Sequence, residues 1–426
     1  MIKLSKYNIV ERMGDNTVIY NTLSSGVLLL NEEYSKHFFE IDKSGGCNKK
    51  DLLEELKRGQ MVCDYNVDEL ENLRVANMAS RFNNSILSLT LAPSLKCNFA
   101  CPYCFEDGYR YNTMDKKTQE KFLEFFHSAI SNVSTVSVCW YGGEPLLQLK
   151  TIEYLTKEML AKLENTGKEY YSHIITNGFN LTKKVALKLK DLKVDQAQIT
   201  IDGPPDIHDK RRILLNGQGS FHRIMENIKE AHSILNISIR INVDKTNIHR
   251  VDEILDYIES YGLKNKVSFY LAAVDDSASS CKNLDCLGTF DFSNEEFSFY
   301  ERALKRGFNS IYIPAPNIGI CGAVSINSYV IDPKGDFYKC WNEVGREEVK
   351  VGDIFNGMKF DKNLTDYLSY NPTENEKCRE CSVFPVCFGG CPYISLKTGD
   401  NKCDSIKYNA PKLIRLLKKL KEPARV

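Results

Sequence analysis

Fifteen cysteines, an odd number and unevenly spread, constrain this 426-residue chain more than any other feature. Three lie within eight residues, Cys97 to Cys104, and seven more fall between Cys321 and Cys403. An odd count cannot pair completely within one chain. The opening MIKLSKYNIVERMG has no apolar signal-peptide core, because charged and polar residues recur through it. No apolar run is long enough to span a bilayer. The chain is therefore expected in the cytoplasm, without a membrane partner. In that reducing compartment so many thiols point to metal ligands rather than disulfides. Lys+Arg and Asp+Glu both number 56, so the formal net charge is zero. A nucleic-acid partner, which needs a basic surface to displace counterions, is not expected.

The length allows two or three domains, one of them barrel-sized. Residues 1–82 read as a small winged-helix-like unit. Its β-rich runs cover 3–13 and 17–31, the second broken at Ser24-Ser25-Gly26, and helices follow around 32–41, 50–56 and 67–79. Residues 85–276 alternate strand and helix. Strands are predicted over 86–92, 136–141, 173–176, 197–202, 237–243 and 267–273. Between them, Phe122, Phe125, Phe126, Ala129 and Ile130 share one helical face, and Val251, Ile254, Leu255, Ile258 and Tyr261 another, ended by Gly262. Helical crossovers between six strands predict an α/β fold with a parallel sheet, curled into a partial (β/α)6 TIM barrel. Chemistry in such folds collects at the C-terminal strand ends. Residues 277–310 form a connecting region, and 311–426 a cysteine-rich C-terminal domain.

After the first of these strands comes Cys97-Asn-Phe-Ala-Cys101-Pro-Tyr-Cys104-Phe105. Three thiols on so short a loop can converge on one small object. A structural zinc would want a fourth protein ligand, and none is evident nearby. A four-iron cluster held by three thiolates would keep one iron free. The next strand ends in Trp140-Tyr141-Gly142-Gly143-Glu144-Pro145, the third in Thr176-Asn177-Gly178, and the fourth in Thr200-Ile201-Asp202-Gly203-Pro204. Ile207-His208-Asp209 and Arg211-Arg212 follow. In this order the motifs resemble the radical S-adenosylmethionine (SAM) superfamily. The resemblance implies that Cys97, Cys101 and Cys104 hold a 4Fe–4S cluster whose free iron chelates SAM. It places SAM against Tyr103, Gly142, Gly143, Glu144, Asn177, Thr200, Asp202 and Arg212, and implies reductive cleavage of SAM to a 5′-deoxyadenosyl radical. Read singly, Asp202 or His208 can equally serve to fix a loop.

In the second set, Cys321 is followed by thirteen residues, Gly335, four residues and Cys340; then come Cys378-x2-Cys381-x5-Cys387-x3-Cys391 and, after eleven more, Cys403. This spacing resembles the seven-cysteine SPASM domain. A pair of zinc ribbons accounts for Cys378 and Cys381 but not for the series. The resemblance implies two auxiliary 4Fe–4S clusters, making three in all. One would use Cys378, Cys381, Cys387 and Cys403, the other Cys321, Cys340 and Cys391. Residues 322–339 contain no further cysteine. The second of these clusters would therefore keep an open iron, or take Cys281 or Cys286 as its fourth ligand. Cys139 reads as packing on a buried strand, and Cys47 and Cys63 have no partner pattern.

The SPASM resemblance implies a peptide or protein substrate. Residues 1–82 are similar to the leader-binding element of enzymes that mature ribosomally made peptides, in which the leader adds a strand at a sheet edge. The implied partners are a precursor peptide and an electron donor such as flavodoxin or ferredoxin. Three functions follow. The first is a maturase forming thioethers between Cys sulfur and carbon on a cysteine-rich peptide, with C–C crosslinking or epimerisation as neighbouring chemistries. The second is an anaerobic sulfatase-maturing enzyme, although relatives of that kind carry Asp where this chain has Trp341. The third is a DNA-binding redox regulator, disfavoured by the zero net charge.

Overall fold

The computed structural model describes residues 1–104, 106, 112–274, 285–309, 314–319 and 321–420, with side chains to 416. The N-terminal segment comprises β1 (Ile2–Leu4), β2 (Asn8–Met13), β3 (Asn16–Asn21), β4 (Val27–Leu30), α1 (Glu32–Ser44), α2 (Lys50–Arg58), β5 (Val62–Asp64) and α3 (Glu69–Arg81). Strands β2, β3 and β4 form an antiparallel sheet with β2 and β4 at its edges, and β1 pairs with β5. Helices start where side chains can satisfy the free N–H groups. Asn31 accepts from Tyr34 N, and Asp68 from Leu70 N and Glu71 N. Gly45, at φ 68°, ends α1. Ile19, Leu28, Leu30, Phe38, Ile41, Leu52 and Leu56 make this segment's own core.

The central sheet uses β6 (Ile86–Leu91), β7 (Thr135–Trp140), β8 (Glu169–Thr176), β9 (Val194–Thr200), β10 (Asn236–Val243) and β11 (Ser268–Ala273), all paired in parallel. Helices α4 (Lys116–Ala129), α5 (Leu149–Leu163), α6 (Lys183–Asp191), α7 (Pro205–Arg211), α8 (Phe221–Ala231) and α9 (Glu253–Ser260) join them, and α10 (Thr289–Lys305) follows β11. The predicted strands are all present; β8 starts earlier than its apolar run. Alternation along each strand explains the layers. In β10, Ile237, Ile239 and Ile241 are buried in the main core with Ile254, Leu255 and Ile258 of α9. The opposite positions Ser238, Arg240 and Asn242 stay half-buried. The inner face is polar, so the barrel keeps a cavity. Gly262, at φ 69°, lies just past α9, as its sequence position predicts.

The C-terminal region adds β12 (Ser328–Ile331) and β13 (Phe337–Tyr338), which the sequence reading missed. β12 pairs in parallel with β6 and antiparallel with β13, extending the barrel sheet to eight strands, β11 at one edge and β13 at the other. Beyond lie β14 (Gly352–Asp353), β15 (Gly357–Met358), α11 (Lys362–Ser369), α12 (Glu376–Arg379), α13 (Phe384–Cys387), α14 (Pro392–Thr398) and α15 (Ile406–Leu420). Among the described residues no helix is long and apolar enough to cross a membrane.

The two ends of the chain clasp each other. Arg81 of α3 is buried and donates to the carbonyls of Val324 (3.1 Å), Tyr370 (2.7 Å) and Leu368 (2.9 Å). Lys6 Nζ donates to Arg379 O, Thr22 Oγ1 to Ser382 O, and Tyr20 OH to Pro314 O. Tyr7 packs with Cys378, Phe384 and Phe388, while Ile9, Val18 and Tyr20 pack with Val383, Val386 and α15. Glu11 pairs with Arg415 at 2.7 Å.

Glu296 of α10 accepts from Asn409 of α15 at 2.7 Å, and burial pushes its carboxyl up to about 7. Between the ordinary range near 4.5 and about 7, the folded chain then holds a proton that the unfolded chain has lost. Stability from this site is fully present below that interval and falls as pH rises through it. Glu296→Gln should therefore be more stable than wild type at pH 8, by about 1–3 kcal/mol, and no more stable at pH 4.5. Paired denaturant titrations at the two pH values check this.

Candidate active site

The loop after β6 carries the first three cysteines, and the next two strand ends and the segment after α7 hold it in place. From the β7 end, Gly143 N donates to Ser94 O at 3.1 Å and Glu144 N to Lys96 O at 2.9 Å. From β8, Asn177 Nδ2 donates to Asn98 Oδ1 at 2.8 Å and lies 3.9 Å from Cys97 Sγ. From the segment after α7, Ile213 O accepts from Ala100 N at 2.8 Å. The glycines are there because nothing larger fits. A Cβ on Gly142, at φ 111°, would stand 2.3 Å from Ser94 O, and one on Gly143 2.5 Å from both Leu95 O and Lys96 O.

Cys97, Cys101, Tyr103, Cys104, Gly142, Gly143, Asn177, Thr200 and Arg212 line one cavity of about 410 Å3 at the C-terminal ends of the strands. Burial pushes the Cys97 thiol up to about 12, and Cys101 and Cys104 are close enough to add to the effect. Thiols gathered this way do not ionise without a cation, which is the donor set an iron–sulfur cluster takes. Burial works against the charge of Arg212, yet Tyr103, Cys101 and Asp202 around it raise its pKa. Its Nη1 donates to Tyr103 OH at 3.0 Å.

Two expected SAM contacts stand behind the wall rather than on it. Glu144 is fully buried, and its carboxylate accepts from Leu146 N (2.9 Å), Thr176 Oγ1 (2.7 Å) and Asn177 N (2.7 Å). Asp202 accepts from Tyr103 OH and from Arg211 Nε, and Arg211 also pairs with Asp244 at 2.7 Å. His208 fixes the same turn. Its Nδ1 accepts from Asp202 N at 3.2 Å, and burial holds its pKa well below the usual range. Sequence reasoning missed Glu106, Tyr141, Gln198, Arg240, Asn242 and Ala273, which line the cavity. The period-two inner positions of β9 and β10 were the signal for Gln198, Arg240 and Asn242.

The C-terminal cysteines fall into two groups. Cys378, Cys381, Cys387 and Cys403 enclose a tight space beside Lys407, whose Nζ lies 3.5 Å from Cys403 Sγ. Burial, with Cys381 and Cys403 beside it, raises the Cys378 thiol to about 11. Cys340 is raised by burial, then by Glu343, Cys321 and Cys391. A cavity of about 500 Å3 is bordered by Cys321, Cys391, Cys387, Cys403, Leu287 and Ala273. Ala273 also lines the first cavity, so the end of β11 borders both spaces. Cys286 precedes Leu287 but is not on this wall, and Cys281 lies outside the described residues, as does Phe105. Cys139 is buried in β7, in agreement with a packing role, and Cys47 and Cys63 stand apart in the N-terminal segment. Among the described residues no three His, Cys, Asp or Glu side chains surround a single-ion position. The thiols border volumes instead. Trp341 stacks near Tyr141, with ring centroids 4.9 Å apart.

Residues 91–258 match the radical SAM superfamily. The cysteine-type anaerobic sulfatase-maturating enzyme of Clostridium novyi is 26% identical over 75% of this chain and 93% of its own length. The mycofactocin maturase MftC of Mycolicibacterium smegmatis is 23% identical over 76% of this chain and 83% of its own. The crystal structure of Streptococcus suis SuiB bound to its precursor peptide SuiA superposes with a TM-score of 0.55 at 16% identity, covering 95% of this chain and 99% of that one.

Proposed function

We propose that this chain, whose residues 91–258 match the radical SAM superfamily, is a peptide-modifying radical SAM enzyme that forms thioether crosslinks in a cysteine-rich, ribosomally made peptide. Cys97, Cys101 and Cys104 would hold the SAM-binding cluster. Cys378, Cys381, Cys387 and Cys403 would hold one auxiliary cluster, and Cys321, Cys340 and Cys391 the other. Held there, cluster and SAM would supply radical chemistry, the abstraction of a hydrogen atom from substrate carbon.

One observation carries the thioether reading: the cavity of the first cysteine set and the cavity of Cys321 and Cys391 share the wall residue Ala273. A peptide reaching from one cavity to the other would present a C–H bond on one side of that wall and a thiol on the other. The reaction would balance with one electron from a donor of the flavodoxin or ferredoxin class to split SAM and release methionine. The C–H hydrogen would leave as an atom and end in 5′-deoxyadenosine, the S–H hydrogen as a proton, and the electron released as the C–S bond forms would return to such a carrier. Residues 1–82 would take the leader at the edge of β4, since β2 at the opposite edge already meets α15 through the Glu11–Arg415 pair. Asn177, Thr200, Tyr103 and Arg212 would contact SAM from the cavity wall. Glu144 and Asp202 would act by holding those residues.

The match to a sulfatase-maturating enzyme favours a second reading, oxidation of Cys to formylglycine. Trp341 stands against it, because the resemblance expects an Asp base at that place.

Co-expression with a short cysteine-rich peptide encoded beside the gene separates these readings. Mass spectrometry should show two hydrogens lost per crosslink and one thiol fewer to alkylate. Loss of two hydrogens with every thiol retained identifies a C–C bond instead, and loss of sulfur identifies formylglycine. An unchanged mass leaves epimerisation.

A further inference from the structure

A third cavity, of about 650 Å3, is bordered by β11, α10 and α15. Phe269, Phe292 and Leu413 give it apolar walls, and its charged lining residues are two acids, Glu296 and Asp404. Among the described residues no Lys, Arg or His lines it. Asn409 stands on the same wall and is 1% exposed. Its Nδ2 donates to Glu296 at 2.7 Å, while its Oδ1 has no hydrogen-bond partner. An unpaired buried acceptor is costly and calls for a donor. Lys412, one turn beyond Asn409, does not supply it, because its Nζ donates to Asn294 at 2.6 Å. Burial without a countercharge is also what pushes the Glu296 carboxyl up.

Acceptors set among apolar walls suit a ligand with an alkyl stem and a head that only donates. Lysine and arginine are the side chains built that way. The cavity also shares Phe292, Asp404 and Ser405 with the one bordered by Cys321 and Cys391. A peptide in that neighbouring cavity would have this one beside it. We propose that the cavity between β11, α10 and α15 receives a lysine or arginine side chain of the peptide substrate, with Glu296 and Asn409 accepting from its head. The inference rests on the peptide-modifying reading for the source of the ligand, and on the cavity alone for its chemistry. The bound head gives Asn409 Oδ1 its missing donor and Glu296 a countercharge.

The test uses full-length protein with reconstituted clusters at pH 8, titrated calorimetrically with three probes. These are N-acetyl-lysine methylamide, its norleucine counterpart, which keeps the stem and lacks the ammonium, and cadaverine. Wild type should bind the lysine probe about tenfold more tightly than the norleucine one. Glu296→Gln should cut that preference to about threefold or less. Glu295→Gln, which removes an exposed carboxylate from the same helix, should keep it. Equal binding of the two amino-acid probes by wild type overturns the proposal, as does an undiminished preference in Glu296→Gln. Cadaverine bound more tightly than the lysine probe overturns the peptide source in favour of a free amine. In co-expression, changing every Lys and Arg of a processed peptide to Met should slow its modification about tenfold. An unchanged yield sinks the pocket and leaves the peptide-modifying reading standing. If no peptide is modified while the lysine probe keeps its preference, the peptide-modifying reading fails and the cation site remains.

Discussion

Cys97→Ala should abolish 5′-deoxyadenosine formation and remove about a third of the protein-bound iron, one of the three clusters proposed above. The loop around Cys97 is held by backbone bonds from Gly143, Glu144 and Ala100, none of which uses the thiol. The substitution leaves those bonds in place and removes a ligand, together with the sulfur's contacts to Phe99 N at 3.4 Å and Asn177 Nδ2 at 3.9 Å. The two remaining thiols, Cys101 and Cys104, line the same cavity but do not make a three-point mount. Cys139→Ala is the matched control. That thiol is more buried than Cys97 and lines none of the cysteine cavities, so iron content and SAM cleavage should be retained with a stability loss of about 1 kcal/mol. Iron and sulfide analysis with chromatography of the nucleoside product reads both variants. Retained SAM cleavage by Cys97→Ala would remove the assignment of the first cluster.

Gly143→Ala should be nearly as damaging without touching any ligand. The added Cβ meets Leu95 O and Lys96 O at 2.5 Å and Lys96 C at 2.7 Å, all backbone atoms with no rotamer to change. One of them, Lys96 O, is also the acceptor that seats Glu144 N. The cysteine loop must move away, breaking that bond and tilting Cys97 relative to Cys101. A destabilisation of about 2–4 kcal/mol is expected, with loss of most SAM cleavage in protein that still folds. Gly217→Ala calibrates the result. It has φ 80° but nothing within 4 Å of the new Cβ, so only backbone strain of about 1 kcal/mol applies, and activity should persist. Thermal denaturation and nucleoside release distinguish the two.

The barrel was legible because its strands are β-prone runs of alternating or apolar residues separated by amphipathic helices. β12 and β13 were not, since four and two residues are too few to show a period. Their place is decided by the open edge of β6, far away in sequence. The helix read over 67–79 lies at Glu69–Arg81, and Asp68, its N-cap, was the available boundary signal. The cysteine groups were legible for a different reason. Ligands that share a short loop must carry their geometry in their spacing. The surroundings of Glu144 were hidden, because Thr176 and Asn177 reach its carboxylate from the end of another strand. No local pattern announces that a carboxylate beside two glycines is already saturated.

The clasp between the chain ends has a consequence for what the enzyme can process. With Arg81, Thr22 and Tyr20 anchored to the cysteine-rich region, the β4 edge keeps a constant separation from the reaction cavity. A peptide gripped at that edge would be measured against a ruler. Residues one tether length from the grip reach the radical, and flexible insertions between grip and target dilute delivery gradually instead of ending it. Grafting a foreign recognition segment would therefore require its facing partners in α12, α13 and α15 to travel with it, or the ruler loses its zero.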